Sequence, residues 1–264
     1  MDFSVITSKE NKLIKSVKKL LTSAKERKQT GLFVLEGLRL SADAAINGYN
    51  IETLIIAESV DESDRLNALV EKAETIVKLP DSLFSYISDT VSPQGVMCVV
   101  KMPDKLSVEA INKGKYIVLE NTSDPANLGA IARTAEAFGI SGLIVLNKSC
   151  DPFSPKSLRA SMGALLRLPI FTADEITDTL QTLKSNGFTL FASVVSNADC
   201  DVTKADFNDN CCVLIGNEAN GLTDTAINLC DRKITITMKG RAESLNAAAA
   251  ASVIMWEMTR CEVK

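Results

Sequence analysis

Asn121-Thr-Ser-Asp-Pro-Ala-Asn-Leu-Gly-Ala-Ile-Ala-Arg-Thr-Ala-Glu-Ala-Phe-Gly139 decides how this chain is read. An apolar strand, Tyr116–Glu120, runs into it, Asp124-Pro125 turns the chain, and Asn127 stands where a helix would begin. Over Leu128–Phe138 the residues Ile131, Ala135 and Phe138 share one helical face, which needs a sheet to cover it. Arg133 lies two residues from Ile131, about 200° around the helix, and points away from that sheet. Gly129, four residues earlier, is expected beside it on the open face. A guanidinium one turn into a helix, next to a glycine that admits close approach, suits an anionic or phosphate-bearing ligand. The alternative is a surface ion pair of Arg133 with Glu136.

The alternation continues along the chain. Strands are expected at Leu143–Leu146, Pro169–Phe171, Thr189–Val194, Cys212–Ile215 and Lys233–Ile236, with helices around Pro155–Met162, Asp174–Asn186, Thr223–Leu229 and Leu245–Thr259. Short apolar strands separated by helices argue for a parallel sheet covered on both faces. A smaller alternating α/β region precedes it. Ser8 is placed as the N-cap of a helix on which Leu13, Val17, Leu20 and Leu21 recur, ending near Gly31. A strand at Leu32–Leu35, a helix near Leu38–Ile46 closed by Gly48 and the apolar run Thr53–Ala57 follow. Then come a helix near Arg65–Ala73, a strand at Thr75–Lys78, a short helix led by Pro80 and a strand at Gly95–Val100. The polar, proline-containing stretch Lys101-Met-Pro-Asp-Lys105 between two apolar strands marks the linker. It divides the chain into domains over 1–103 and 104–264.

At 264 residues, 46% hydrophobic and 23% charged, the chain can build a core without disulfide or metal staples. No apolar run reaches the length of a membrane span, and Met1-Asp2-Phe3-Ser4 lacks the charged and apolar regions of a signal peptide, so a cytoplasmic protein is expected. The seven cysteines, Cys98, Cys150, Cys200, Cys211, Cys212, Cys230 and Cys261, show no C-x-x-C spacing and read as reduced, mostly buried thiols. Histidine is absent. That absence removes Ser-His-Asp and Cys-His nucleophiles, His-ligated zinc and an imidazole base together, and no metal is expected. The net charge is −4, yet residues 1–40 carry +5 and the remainder −9. Lys12, Lys15, Lys18, Lys19, Lys25 and Lys28 form the polar side of the first helix. A basic arm on an acidic body meets phosphates locally without binding every polyanion; the alternative is a solvated helix face.

Two further segments stand out. Cys212-Val-Leu-Ile-Gly-Asn-Glu-Ala-Asn-Gly-Leu222 is an apolar strand entering a loop with Gly216 and Gly221. Ligands of parallel sheets sit beyond the carboxyl ends of strands, where glycine lets main-chain groups approach, although a plain strand-to-helix turn reads equally well. The pattern is neither G-x-G-x-x-G nor a Gly-Lys-Ser/Thr phosphate loop, which disfavours a nicotinamide dehydrogenase. In Ile234-Thr-Ile-Thr-Met-Lys-Gly-Arg-Ala-Glu-Ser-Leu-Asn-Ala-Ala-Ala-Ala-Ala251, Ser244 is placed as an N-cap and Asn246 in the first helical turn, where unpaired main-chain donors gather. The alanine run lets another backbone come close, or simply favours helix. Met255, Trp256 and Met258 give the last helix more apolar bulk than one face needs, so a homodimer interface is expected there.

In order and spacing the three segments resemble the three motifs of the SpoU (TrmH) family of RNA ribose 2′-O-methyltransferases, within the SPOUT superfamily. The matching residues are Asp124-Pro-x-Asn127-Leu-Gly with Arg133, then Gly216-x-Glu218-x-x-Gly221, then Ile236-x-Met238 leading to Ser244-Leu245-Asn246. The resemblance runs through residues 116–260. Gly31-Leu-Phe-Val-Leu-Glu-Gly37 and Ser92-Pro-Gln-Gly-Val96 are similar to the small ribosomal-protein-like α/β RNA-binding domain of members that act on ribosomal RNA.

The resemblance implies a SPOUT-type parallel sheet with a deep trefoil knot, a homodimer, and S-adenosyl-L-methionine as cofactor. By position, Ile215, Gly216, Ile236, Met238 and Leu245 would hold the cofactor, mainly through main-chain groups. Asn127, Arg133, Glu218, Ser244 and Asn246 match the functional polar positions. Ala247-Ala248 departs from the Val-Ser that many members carry there. The implied reaction is in-line transfer of the sulfonium methyl to a ribose 2′-hydroxyl of RNA, ribosomal in preference to transfer RNA. Arg133 would either take the hydroxyl proton or act as a fixed cation that anchors a phosphate and stabilises the alkoxide. Asn127 would orient the ribose or Arg133, Glu218 brace the loop or Arg133, and Ser244 and Asn246 position the methionyl end or the substrate. A non-catalytic RNA-binding assembly factor that keeps the knot is the competing reading, marked by cofactor binding without transfer.

Overall fold

The computed structural model describes residues 4–146, 148–207 and 209–260; Met1–Phe3, part of the stretch read for a leader, and Cys261 lie outside them. By packing, the chain forms one unit from residues 1–104 with 153–166 and another from 105–152 with 167–264. Residues 153–166, which the sequence reading includes in the domain over 104–264, group with the first unit.

The first unit opens with β1 (Ser4–Val5), α1 (Lys12–Thr22) and α2 (Ala24–Thr30). The single helix expected from Ser8 is two. Asn11, not Ser8, caps α1, its side chain accepting from the Leu13 N–H at 2.8 Å. Ser23 is extended at φ −121° and ψ 110°, which interrupts the rod, and its hydroxyl caps α2 through the Glu26 N–H at 3.2 Å. Gly31 ends α2 in the left-handed conformation, φ 67°, which glycine adopts without a Cβ clash. The remaining elements follow the sequence reading: β2 (Leu32–Glu36), α3 (Leu38–Ile46), β3 (Ile51–Ala57), α4 (Asp64–Lys72), β4 (Ala73–Leu79), α5 (Asp81–Ile87) and β5 (Val96–Lys101). They form a sheet in the order β1-β4-β3-β5-β2, in which β1, β4 and β3 are parallel and β5 is antiparallel to both neighbours. Ile14, Val17 and Leu20 of α1 and Leu83, Phe84 and Ile87 of α5 belong to one buried cluster.

The lysine stripe is less uniform than its periodicity suggests. Lys12, Lys15, Lys19, Lys25 and Lys28 are exposed. Lys15 pairs with Glu10, and Lys18 folds over the Tyr86 ring, its Nζ 3.7 Å from the centroid.

The second unit is built from β6 (Gly114–Leu119), α6 (Pro125–Ala137) and β7 (Gly142–Leu146). Next in the chain is α7 (Pro155–Ser161), which belongs to the first unit, where Phe153 packs its ring 5.0 Å from Phe33. Then follow β8 (Ile170–Ala173), α8 (Ile176–Ser185), β9 (Thr189–Ser193), β10 (Cys200–Asp201), β11 (Asn210–Ile215), α9 (Asp224–Leu229), β12 (Arg232–Thr235) and α10 (Ala247–Thr259). The strands pair throughout in parallel, in the order β10-β12-β9-β11-β6-β7-β8. The parallel sheet inferred from the apolar strands is therefore present. The central strands are buried along their length, as a sheet covered on both faces requires. From β6 the chain moves outward through β7 and β8, then returns to the other side, where β11 inserts between β9 and β6. Strand order reverses beside β6, and ligands of open parallel sheets bind at the carboxyl ends of such strands. Among the described residues no helix is long and apolar enough to cross a membrane, and the six described cysteines are free.

Candidate active site

Asp124 begins the site by capping α6. Its Oδ1 accepts from the Ala126 N–H at 3.0 Å, and Pro125 occupies the first helical position, where its missing N–H costs nothing. The helix thus starts two residues earlier than expected, and Asn127 lies inside its first turn. Gly129, expected on the open face, is buried with Asn127 and Leu128, because α10 packs along α6.

Burial leaves the Asn127 amide two polar partners, and they come from the other two motifs. Its Nδ2 donates to Glu218 Oε1 at 2.8 Å, and its Oδ1 accepts from Asn246 Nδ2 at 3.0 Å. Asn246 in turn caps α10, its Oδ1 accepting from the N–H groups of Ala248 and Ala249 at 2.9 and 3.3 Å. Asn246, and not Ser244, is therefore the N-cap of the last helix. One relay, Glu218–Asn127–Asn246, joins segments 91 and 119 residues apart.

Glu218 is saturated by donors. Besides Asn127 it accepts from the Ser123 hydroxyl at 2.9 Å and from the N–H groups of Ser123 and Asp124 at 3.2 and 3.4 Å. Partial burial alone would raise its pKa, but hydrogen bonds from Asn127, its own main chain and Ser123 outweigh that and hold the carboxyl at about 2. It is an anionic brace, a poor base. Its loop is tightly closed: Asn217 and Gly221 exchange main-chain hydrogen bonds at 3.0 and 2.9 Å, and Asn217 Nδ2 donates to the Asn121 carbonyl at 2.8 Å. A Cβ on Gly216 would lie 2.2 Å from the Gly221 carbonyl carbon. The glycine is required by the chain's own fold before any ligand is considered.

Arg133 is exposed on α6 and, among the described residues, makes no hydrogen bond or ion pair. The pairing with Glu136 does not form. Arg167 takes that carboxylate, with Nη2 2.9 Å from Oε2 and Nε on the other oxygen. Cys150 lies nearby, its N–H on the Thr122 carbonyl at 2.8 Å. Burial, with help from the Glu218 and Asp124 charges, pushes its thiol up to about 12 and removes it as a base.

Beyond the carboxyl ends of β9 and β12 lies a small cleft of about 100 Å³, below the roughly 300–1,000 Å³ of small-molecule sites. Ile236, Met238, Ser244 and Leu245 line it together with Val202 and Glu243. Ile215 ends β11 and Gly216 follows it; neither is part of that lining.

Residues 114–256 match the SpoU rRNA Methylase family. The chain belongs to this family. In this SpoU protein residues 11–98 also match the MRM3-like substrate binding domain. It is 33% identical to the 23S rRNA (uridine(2479)-2′-O)-methyltransferase of Streptomyces viridochromogenes, over 91% of this chain and 87% of that one. To the 23S rRNA (guanosine(2553)-2′-O)-methyltransferase RlmP of Bacillus subtilis it is 26% identical, over 96% and 98%. The crystal structure of the SpoU methyltransferase AviRb from Streptomyces viridochromogenes, in complex with AdoMet, superposes with a TM-score of 0.88 at 30% identity, covering 97% of this chain and 99% of that one. The SpoU chain is an S-adenosylmethionine-dependent RNA ribose 2′-O-methyltransferase. Ser123 and Asn217, which hold Glu218 and its loop, are not among the residues expected from the sequence. Their positions beside Asp124 and between Gly216 and Glu218 are the signal that could have found them.

Proposed function

We propose that this enzyme methylates a ribose 2′-hydroxyl of 23S ribosomal RNA in the cytoplasm, as a homodimer, with the cofactor seated in the cleft beyond β9 and β12. The observation that carries the reading is the Glu218–Asn127–Asn246 relay, which ties the three motif segments into one rigid wall. The ribosomal substrate is supported by the names of the two relatives and by the substrate-binding match that precedes the catalytic domain.

The lining of the cleft, rather than its size, suits S-adenosylmethionine. Ile236, Met238 and Val202 offer apolar surface for the adenosine, while Ser244 and the Glu243 carboxylate offer polar partners for the methionyl end. When bound, the cofactor supplies an electrophilic methyl on a sulfonium.

What remains for the protein is alignment and removal of the hydroxyl proton. Asn127 and Asn246 fix the start of α10 against α6, and so set the distance from the cleft to Arg133. Arg133 keeps its charge, holds an RNA phosphate and stabilises the 2′-alkoxide as it forms, and the proton passes to water or to that phosphate. Glu218, fully hydrogen-bonded, keeps Asn127 in orientation. The trefoil knot and the dimer belong to the same proposal. Support for the knot is the insertion of β11 between β9 and β6 and the return of α10 across α6. Support for the dimer is the exposure of Val253 at 38% and Trp256 at 49% along one helix.

The test is a map of ribose methylation over total RNA from a strain lacking the gene and from its parent. Loss of one 23S site is expected. An unchanged 23S map with a lost site in transfer RNA would refute the ribosomal assignment.

A further inference from the structure

Asp201 ends β10, a two-residue strand at the edge of the sheet, and its carboxylate is divided between two threonines. Oδ1 accepts from the Thr203 N–H at 3.0 Å and the Thr203 hydroxyl at 2.7 Å. Oδ2 accepts from the Thr237 N–H at 3.1 Å and from the Thr237 hydroxyl. The first pair caps the short turn Val202–Lys204; the second reaches across 36 residues to the segment leaving β12. Both anchored segments face the cleft. Val202, 2% exposed, lines it from one side, and Ile236 and Met238, which flank Thr237, line it from another.

We propose that Asp201 is a positioning residue for the cofactor: it ties Thr237 to the 202–204 turn and so fixes the spacing between two walls of the cleft. This rests on the reading of that cleft as the S-adenosylmethionine site. The hydrogen bonds from Thr237 and Thr203 also hold the carboxyl below the usual carboxylate range, so the clamp stays ionised at working pH.

The divided carboxylate makes the asparagine variant informative. An amide presents an oxygen to one threonine and an NH2 to the other. A hydroxyl can turn round to accept, but a main-chain N–H cannot, so one clamp loses its main-chain bond whichever way the amide sits. The Thr203 clamp closes within three residues and re-forms with little loss of chain entropy. The amide oxygen therefore goes to Thr203, and Thr237 is released.

The experiment is calorimetric titration of S-adenosylhomocysteine into the full-length protein and five variants. Asp201→Asn and Thr237→Val should each raise Kd about tenfold, the factor expected for one lost hydrogen bond to a charged group. Their combination should be no worse than the weaker single variant, because both break the same clamp. Thr237→Ser keeps both donors and should stay within about twofold of the parent. RNA affinity should be unchanged in all of these, which general loss of structure would not allow. Parent-like affinity in Asp201→Asn, or additive effects in the double variant, overturns the proposal. If Asp201→Asn fails to fold, the contrast between Thr237→Val and Thr237→Ser decides it. Ile236→Trp, which fills the cleft, separates the two readings. Undiminished binding there refutes the cleft as the site. Blocked binding there, with parent-like affinity in Asp201→Asn, refutes only the clamp.

Discussion

Replacing Asn127 with aspartate keeps the side chain's size and turns the donor that faces Glu218 into an acceptor. The two groups are 2.8 Å apart in the parent, and Asn127 is only 8% exposed. Loss of a hydrogen bond to a charged acceptor costs about 1.5–3 kcal/mol. Two carboxylates in its place repel with about 4 kcal/mol at 4 Å and an effective dielectric of about 20. Glu218 is exposed, which screens that repulsion, and the pair can take up a proton. A net cost of about 2–4 kcal/mol at pH 8 follows, equivalent to a melting temperature lower by about 5–15 °C for a unit of this size.

The sign of the pH dependence is distinctive. In the parent, Glu218 is depressed to about 2, so its contribution is complete above the ordinary carboxylate range and is lost only as pH falls below about 4.5 toward 2. In the variant the carboxyl pair has a raised folded pKa, so the destabilisation is full at high pH and is relieved as pH falls through that value. Between pH 8 and 5.5 the parent should stay level while the variant recovers. Thermal unfolding followed by circular dichroism measures both. A variant that melts with the parent at pH 8, or whose deficit does not shrink toward pH 5.5, would refute the role given to the relay.

Arg133→Ala should abolish methyl transfer in single-turnover assays while leaving cofactor affinity within severalfold, and Arg133→Lys should also fail if planar recognition of phosphate matters; turnover in either removes the guanidinium from the chemistry. With no histidine in the chain, Glu218 held at about 2 and Cys150 pushed up to about 12, the transfer rate should rise with pH between 6 and 9 without the falling limb of a bell; a maximum in that range would expose an unrecognised titrating group. Trp256→Glu should give a monomer in light scattering at micromolar concentration, because it charges the exposed face of α10, and an unchanged dimer would move the interface elsewhere. Replacing the exposed Lys12, Lys19 and Lys25 with glutamine should flatten log affinity for RNA against log salt by about 0.7–0.9 for each phosphate that is no longer neutralised; an unchanged slope would make the stripe a solvated helix face.

Most element positions are legible in the sequence because strand and helix periods are local properties. What is not legible depends on neighbours distant in sequence. Ser8 and Asn11 are equally good caps on paper, and so are Ser244 and Asn246. In the second case Asn246 also meets Asn127, and a serine cannot serve the cap and that amide together. Helical geometry puts Gly129 on an open face because it counts only the sheet as a covering layer, whereas α10 covers a second side of α6. Ser23 splits the first helix with no proline or glycine to announce it. β10 is two residues long, below the length at which alternation can be seen, and the Asp201 clamp is invisible in the sequence for the same reason. The three motif segments can be lined up in order from the sequence, but only folding shows that Asn127 is the residue that joins them.

The two halves of the site differ in how they are held. On the relay side the groups that join the motifs are paired within the chain: Asn217 closes its own loop, Gly216 leaves no room for a Cβ, and Glu218 has its oxygens filled by donors. That side exists before any ligand arrives. On the cleft side, Lys239–Asn246 is exposed throughout and has no regular structure until Ala247. The segment that carries Glu243, Ser244 and Leu245 is therefore held by fewer contacts than the relay that ties Asn127 to Glu218 and Asn246. Electrostatic stabilisation of a forming alkoxide is effective in proportion to how little the surrounding groups must move. An enzyme without an imidazole to collect the proton depends on that condition more than most. The arrangement meets it by anchoring Asn127 to both partner motifs.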